Sequence, residues 1–355
     1  MAVAGTPYTF TDPDHTLFIV NPAANSGRST STFNWIKSGF DFDEETAYSV
    51  IQTTPEQTDS GLVVQEWLDN TDCPITPSDG DVLRVFACGG DGTLSPVIRQ
   101  FHEKRDTVQI GVLPLGTLND CAHALNLFPK TQNDFLDIIH GTQGASIGSY
   151  TIKQLTPEGE PTDNESIAFI DAFAGISRDT LKSKEAADES PDCLARTRWL
   201  IGSNMETNLR ALSATWRWKG LSIRIVDHEQ QELYSGDIGN LAMTTLGFIG
   251  DLKLSPSIRP QWYHNDQLRG EVHIAEDGGI FMNVPRLIKL TSAGHRNGCD
   301  WSKGFPIEHG KSLTIYDTNN SGNLLELENS QTFEFPFKAT WQQNQAVLVA
   351  GDPPN

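Results

Sequence analysis

The chain is short of cysteine, of basic residues and of long apolar runs, and each shortage removes a class of protein. Its five cysteines, Cys73, Cys88, Cys121, Cys193 and Cys299, are odd in number and form no Cys-x-x-Cys pair. Neither a disulfide frame nor a zinc site fits that pattern, so the thiols read as reduced. No stretch approaches the ~18 consecutive apolar residues of a membrane-spanning helix. Met1–Phe10 lacks the basic and apolar segments of a signal peptide, and a cytoplasmic protein is expected. Lysine and arginine number 26 against 46 acids, a net charge of −20. That balance argues against nucleic-acid binding and against docking on an anionic membrane through bulk charge. An acidic surface also serves solubility, including in salt. Two familiar phosphate-loop patterns, Gly-x-x-x-x-Gly-Lys-Ser/Thr and Gly-x-Gly-x-x-Gly, are missing as well.

What is present is length enough for two cores, 355 residues, and a change of pattern near Gly141. Before it, strand-like runs alternate with helix-like runs. Strands are expected at Thr16–Val20, Tyr48–Thr53, Val82–Cys88 and Gln109–Leu113. Helices are expected near Thr30–Phe40, Glu56–Asn70, Leu94–Lys104 and Asn133–His140. This alternation predicts an α/β domain: a parallel-type sheet in three layers. After it, Ser146–Gln154, Ser166–Phe173, Leu221–Val226 and Val272–Ala275 alternate apolar and polar residues between turn-like clusters. These predict an antiparallel β-sandwich domain, with one helical interruption near Leu194–Ala214. The expected division is residues 1–144 and 145–335, with about 20 C-terminal residues packing back on the first domain.

Three loops in the first part share a position, after a strand and before a helix. They are Asn21-Pro22-Ala23-Ala24-Asn25-Ser26-Gly27-Arg28-Ser29, Ala87-Cys88-Gly89-Gly90-Asp91-Gly92-Thr93, and Pro114-Leu115-Gly116-Thr117-Leu118-Asn119-Asp120. Glycine lets a large anion approach the bare backbone, and the N–H groups of a helix start point at that anion. In an open α/β sheet, ligands bind beyond the carboxyl ends of the strands. Three such loops can form one nucleotide site, with Arg28 available to a phosphate. Asp91 sits inside the glycine loop, where it would repel a phosphate unless it serves as a base or holds a cation. That tension points to phosphoryl transfer.

These residues resemble the catalytic domain shared by diacylglycerol kinases, sphingosine and ceramide kinases and their bacterial lipid-kinase relatives. The family's Asn-Pro-x-(small)-(small)-Gly, Gly-Gly-Asp-Gly-Thr and Pro-x-Gly-Thr-x-Asn-Asp stand here, in order, at Asn21-Pro22 to Gly27, Gly89–Thr93 and Pro114–Asp120. The resemblance implies an ATP- and Mg²⁺-dependent transferase acting on a hydroxyl of a lipid or lipid-like alcohol. It implies nucleotide contacts from Asn21, Pro22, Ser26, Gly27, Arg28, Thr53, Gly89, Gly90, Gly92, Thr93, Thr117 and Asn119. Asp91 and Glu328 are the catalytic candidates, Asp91 first, with Asp120 and Asp179 toward the acceptor. Mg²⁺ would be held by Asp266, with Asp91, Asp120 and Glu328 as further candidates, directly or through water.

The chain departs from the family at several of these places. Leu94-Ser95-Pro96-Val97 stands for x-Asn-Glu-Val, Ala122-His123 for Ala-Arg, Asp266-Gln267 for Asp-Gly, and Glu326-Leu327-Glu328 for Asp-Gly-Glu. The drift falls on the acceptor and metal side, so the acceptor is less defined than the reaction. A NAD kinase, whose family also uses Gly-Gly-Asp-Gly-Thr, and an inactive nucleotide-binding regulator are the alternatives. A basic, Trp-rich stretch holds Arg196, Arg198, Trp199, Arg210, Trp216, Arg217, Trp218 and Lys219. It reads either as a peripheral membrane contact or as a covering helix with tryptophan in the core.

Overall fold

The computed structural model describes residues 6–40, 47–54, 59–70, 73–75, 80–116, 119–189, 209–210, 213–214, 216, 218, 220–246, 248–249, 252–253, 260, 269–278, 302–328 and 331–351. The first part runs β1 (Tyr8–Thr9), β2 (His15–Val20), α1 (Ala24–Gly27), α2 (Ser29–Lys37), β3 (Ala47–Gln52), α3 (Ser60–Leu68) and β4 (Leu83–Gly89). It continues through α4 (Asp91–Phe101), β5 (Val108–Pro114), α5 (Asp120–Ala124) and α6 (Gln132–Ile139). The rest is mostly strand: β6 (Gln143–Leu155), β7 (Pro161–Ala168), β8 (Asp171–Gly175), then α7 (Ile176–Glu189), β9 (Leu221–Val226), β10 (Glu232–Thr244), β11 (Phe248–Ile249) and β12 (Leu252–Lys253). It ends with β13 (Gly270–Glu276), β14 (Ser302–Ile307), β15 (Ser312–Asp317), β16 (Leu324–Leu327), β17 (Thr332–Glu334) and β18 (Phe337–Val349).

Strands β2 and β4 are buried along their whole length, as near-continuous apolar runs must be when helices cover both faces of a sheet. They lie in the parallel order β3-β2-β4-β5. The chain steps outward from β2 to β3 and returns past β2 to β4. Right-handed crossovers in these opposite directions put α2 and α3 on opposite faces, giving three layers. Phe18 stacks on Phe86 with centroids 5.7 Å apart inside this core.

Helix starts follow local chemistry. Asp59 caps α3 by accepting the Gly61 and Leu62 N–H groups, and Thr131 with Asp134 forms a capping box on α6. Arg84 lies inside this core and donates to Gln109 Oε1 at 2.7 Å, to the Ile139 carbonyl and to the Thr11 carbonyl.

The second part is antiparallel and hydrogen-bonded continuously with the first. β18 pairs with β6 along most of its length, with β15, and in parallel with β5 at Leu348↔Ile110. Its Trp341 is buried against Tyr150 in a second apolar core. The parallel α/β sheet followed by antiparallel strands is the fold class the sequence indicates.

Two local expectations change. Ser166–Phe173 is not one strand. The chain leaves β7 at Ala168, passes Phe169 and Ile170, and enters β8, which pairs with β10 and β16 instead of β6. Thr245 fixes the break by donating its hydroxyl to the Phe169 carbonyl and its N–H to the Ile170 carbonyl. A helix also forms at Ile176–Glu189, ahead of the expected one. Most of Leu194–Ala214 lies outside the described residues, as do Cys193 and Cys299. Cys73, Cys88 and Cys121 are free thiols.

Candidate active site

The crevice beyond β2 and β4 lies where the strand order reverses, the position at which open α/β sheets bind ligands. Asn21 stands directly after β2 and ties the first loop to the second. Its N–H donates to the Cys88 carbonyl, and its Nδ2 donates to Thr93 Oγ1 at 3.1 Å. The Ser29 hydroxyl donates back to the Asn21 carbonyl. Thr93 is buried, and its carbonyl accepts the Ser60 hydroxyl at 2.5 Å.

Helix α4 begins at this crevice with Gly90 as N-cap and no side-chain cap. A helix start without a cap offers N–H donors and a positive dipole end. Gly92, in its first turn, is exposed, and an added Cβ would meet nothing within 4 Å. The protein itself thus leaves the space above this residue open.

The third loop closes against the second. A Cβ on Gly116 would lie 2.3 Å from Gly90 Cα, so only glycine permits the approach. Asn119, at φ 55, holds the turn by accepting the Gly116 N–H and donating to the Gly116 carbonyl, each at 3.0 Å. Thr53 follows β3 and is buried, its N–H donating to the Val20 carbonyl. Pro22 is half-buried, whereas Gly27 and Arg28 are exposed in the first loop. Thr117 and Asp266 lie outside the described residues, as does the side chain of Ser26.

Asp91 links the two helix starts. Its Oδ2 accepts the Asp120 N–H at 2.8 Å and its Oδ1 the Cys121 N–H at 2.9 Å. It is therefore the N-terminal cap of α5, supplied by α4. Burial first, and then the neighbouring Asp120 charge, push its carboxyl up to about 7 against the pull of those N–H groups. Asp120 is itself buried.

Two acids from the second part meet this group. Asp171, at the start of β8, is buried, and its carboxyl is held far above the usual range by burial and by the charges of Glu328, Asp120 and Asp91. Glu328 follows β16. Its side chain is 3% exposed, and its Oε1 accepts the Ser95 hydroxyl at 2.7 Å and the Phe169 N–H at 2.9 Å. Arg99 Nη2 lies 3.6 Å from the same oxygen. Its other oxygen, Oε2, is buried without a hydrogen-bond partner. Burial raises the Glu328 carboxyl, while the Phe169 N–H, Ser95 and Arg99 pull it back.

The structure thus gathers Asn21, Gly89–Thr93, Asn119, Asp120 and Glu328 around one crevice. Asp179 does not reach the inside: it is exposed on α7 beside Arg178, whose Nε donates to Glu326 Oε2 at 2.8 Å. Sequence reasoning missed Asp171, Ser95 and Arg99. A buried acid opening an apolar strand was the available signal for Asp171. Among the described residues no three His, Cys, Asp or Glu side chains are placed to hold a metal ion.

The fold is similar to that of solved kinases. A crystal structure of a diacylglycerol kinase from Bacillus anthracis superposes with a TM-score of 0.58 at 14% identity, over 96% of this chain and 98% of that one. A yeast NADH kinase solved with NADH superposes with a TM-score of 0.50 at 12% identity, over 98% and 87%. Residues 15–149 match the model of the diacylglycerol kinase catalytic domain. A diacylglycerol kinase of Staphylococcus aureus strain JH9 is 44% identical over 105 residues, 26% of this chain and 32% of the relative. The shared stretches span no more than about half the length of the curated relatives.

Proposed function

We propose that the chain transfers the γ-phosphate of ATP to a hydroxyl of a lipid or lipid-like alcohol. The observation that carries this is the uncapped start of α4, set at the strand-order reversal with a half-partnered buried carboxylate, Glu328, against the next turns of the same helix. The α4 start, with Gly89, Gly90, Gly92 and Thr93, receives the phosphates. Asn21, Pro22, Ser26, Gly27, Arg28, Thr53, Thr117 and Asn119 shape the pocket around them.

Phosphoryl transfer is mainly positioning and electrostatics, with a base near the acceptor. We assign the base to Glu328, whose Oε2 is open to a proton. It takes the proton of the acceptor hydroxyl as that oxygen bonds to the γ-phosphorus. The bond from the γ-phosphorus to the β–γ bridging oxygen breaks, and ADP leaves with that oxygen and the electron pair. Asp91, with each oxygen on a backbone N–H of α5, fixes the geometry of the phosphate loop. A carboxyl titrating near neutrality also suits proton traffic.

Asp91, Asp120 and Asp171 crowd their charges together with no basic side chain among the causes of the Asp91 and Asp171 shifts. That environment fits a divalent cation held by one or two carboxylates, water and substrate phosphates. One or two of these acids would hold Mg²⁺ with Asp266, directly or through water, and the ion would neutralise charge on the phosphates. Asp179 lies at the outer edge, where it could meet only a polar end of the acceptor.

A peripheral membrane contact is part of this proposal. No helix among the described residues is long and apolar enough to cross a membrane, and Trp216 stands 75% exposed. Arg210 does not join that surface. It is buried and donates to the Ser183 carbonyl and hydroxyl.

The test is Glu328→Gln, an isosteric change that removes the base. ATP binding is expected to stay and transfer to fall by about a hundredfold or more. Transfer at the unaltered rate would remove Glu328 from the chemistry.

A further inference from the structure

Glu328 reaches α4 from 233 residues away in sequence, and it meets α4 at Ser95, where the sequence leaves the family pattern, and at Arg99. Ser95 and Arg99 are four residues apart, on one helix face. Ser95 is fully buried, and its hydroxyl donates to Glu328 Oε1 at 2.7 Å. Arg99 Nη2 sits 3.4 Å from that hydroxyl and 3.6 Å from the same carboxylate oxygen. Arg99 Nε is buried without a hydrogen-bond partner, so the guanidinium is committed to this spot without being saturated there. The Phe169 N–H supplies the remaining donor on Oε1. It is available because the chain breaks between β7 and β8.

Both hydrogen bonds and the Arg99 ion pair fall on one oxygen, and Oε2 has no hydrogen-bond partner. Such an arrangement orients a carboxylate: one oxygen is anchored, and the other keeps its lone pairs for a proton. The same rigid helix carries the phosphate loop at its start. Ser95 lies two residues beyond Thr93, whose side chain meets Asn21.

We infer that Ser95, seconded by Arg99, is a positioning residue that fixes Glu328 relative to the phosphate-binding start of α4. The inference rests on the assignment of Glu328 as base. The Ser95-Pro96 departure then marks a substituted way of aiming the acid.

The experiment is a double-variant cycle on the full chain, with γ-labelled ATP and diacylglycerol in mixed micelles, using Ser95→Ala, Ser95→Thr, Glu328→Gln and the Ser95→Ala/Glu328→Gln pair. Ser95→Ala should lower kcat by about tenfold and leave the KM for ATP within about twofold, since it removes orientation and not phosphate binding. Ser95→Thr, which keeps the hydroxyl, should recover most of the loss. The pair should be no slower than Glu328→Gln alone, because Ser95 acts only through that carboxylate.

A loss that multiplies in the pair, or an unaltered kcat in Ser95→Ala while Glu328→Gln is inactive, overturns the inference and leaves the base assignment standing. An active Glu328→Gln, or an unaltered chain that transfers to none of diacylglycerol, a sphingoid base and ceramide, overturns both. Thermal midpoints within a few degrees of the unaltered chain guard against misfolding. If Ser95→Ala misses that mark, the Arg99→Met pair with Glu328→Gln is read in the same way.

Discussion

Asp91 and Asp171 show how a residue reads differently once its partners are known. In the sequence Asp91 is an acid lodged in a phosphate loop. In the fold its oxygens also close two orphan N–H groups of α5. Asp91→Asn keeps one acceptor and places a donor against the other N–H. It should therefore cost stability of about 1–3 kcal/mol, read as a lower denaturation midpoint in urea, as well as slowing transfer. A variant that is slow but fully stable would separate Asp91 from the α5 start.

Asp91, Asp171 and Glu328 also have carboxyls raised in the folded chain. Unfolded, such groups release their protons near pH 4. Between there and about 7, the value for Asp91, the folded state binds more protons, so stability falls as pH rises. The thermal midpoint of the ligand-free chain should be higher at pH 5.5 than at pH 8. Asp171→Asn should flatten that slope, and a slope unchanged in this variant would contradict the shared burial of these acids.

At the scale of elements, the site is a joint between helix starts and strand ends. The third loop comes closest to the second at a pair of glycines, with a Gly116 Cβ placed 2.3 Å from Gly90 Cα. Gly116→Ala should push the loops apart and weaken ATP binding by about tenfold, or ~1.4 kcal/mol, as measured by calorimetry. Unchanged affinity would show that the third loop does not shape the phosphate pocket.

Much of this was legible in the chain itself. β2 through β5 are apolar runs between turn residues, and each of the three loops follows one of them. The rest depended on distant pairing. β18 carries the polar run Gln342–Gln345 at a bulge, which hides its strand character. The break at Phe169 is set by Thr245 from another strand. Ser95 looked like a lost family residue, because its partner Glu328 is brought there only by β16 and β8.

For the whole molecule, charge and surface set limits on the acceptor. With a net charge of −20, contact with a membrane would have to be local. Trp216 is the exposed aromatic among the described residues of the Trp-rich stretch, and tryptophan favours the interfacial layer. Flotation with phosphatidylcholine vesicles containing diacylglycerol should recover the chain, and Trp216→Ala should reduce the recovered fraction. Equal recovery of both would place the contact elsewhere.

The central claim is a kinase site for a lipid-like alcohol, and phosphate transfer tests it most directly. The chain would be incubated with γ-labelled ATP, Mg²⁺ and, in parallel, diacylglycerol, a sphingoid base, ceramide and NAD. The account predicts label on at least one of the three lipid acceptors and its loss in Glu328→Gln. Label on NAD alone, or ATP bound with no transfer to any acceptor, would contradict it.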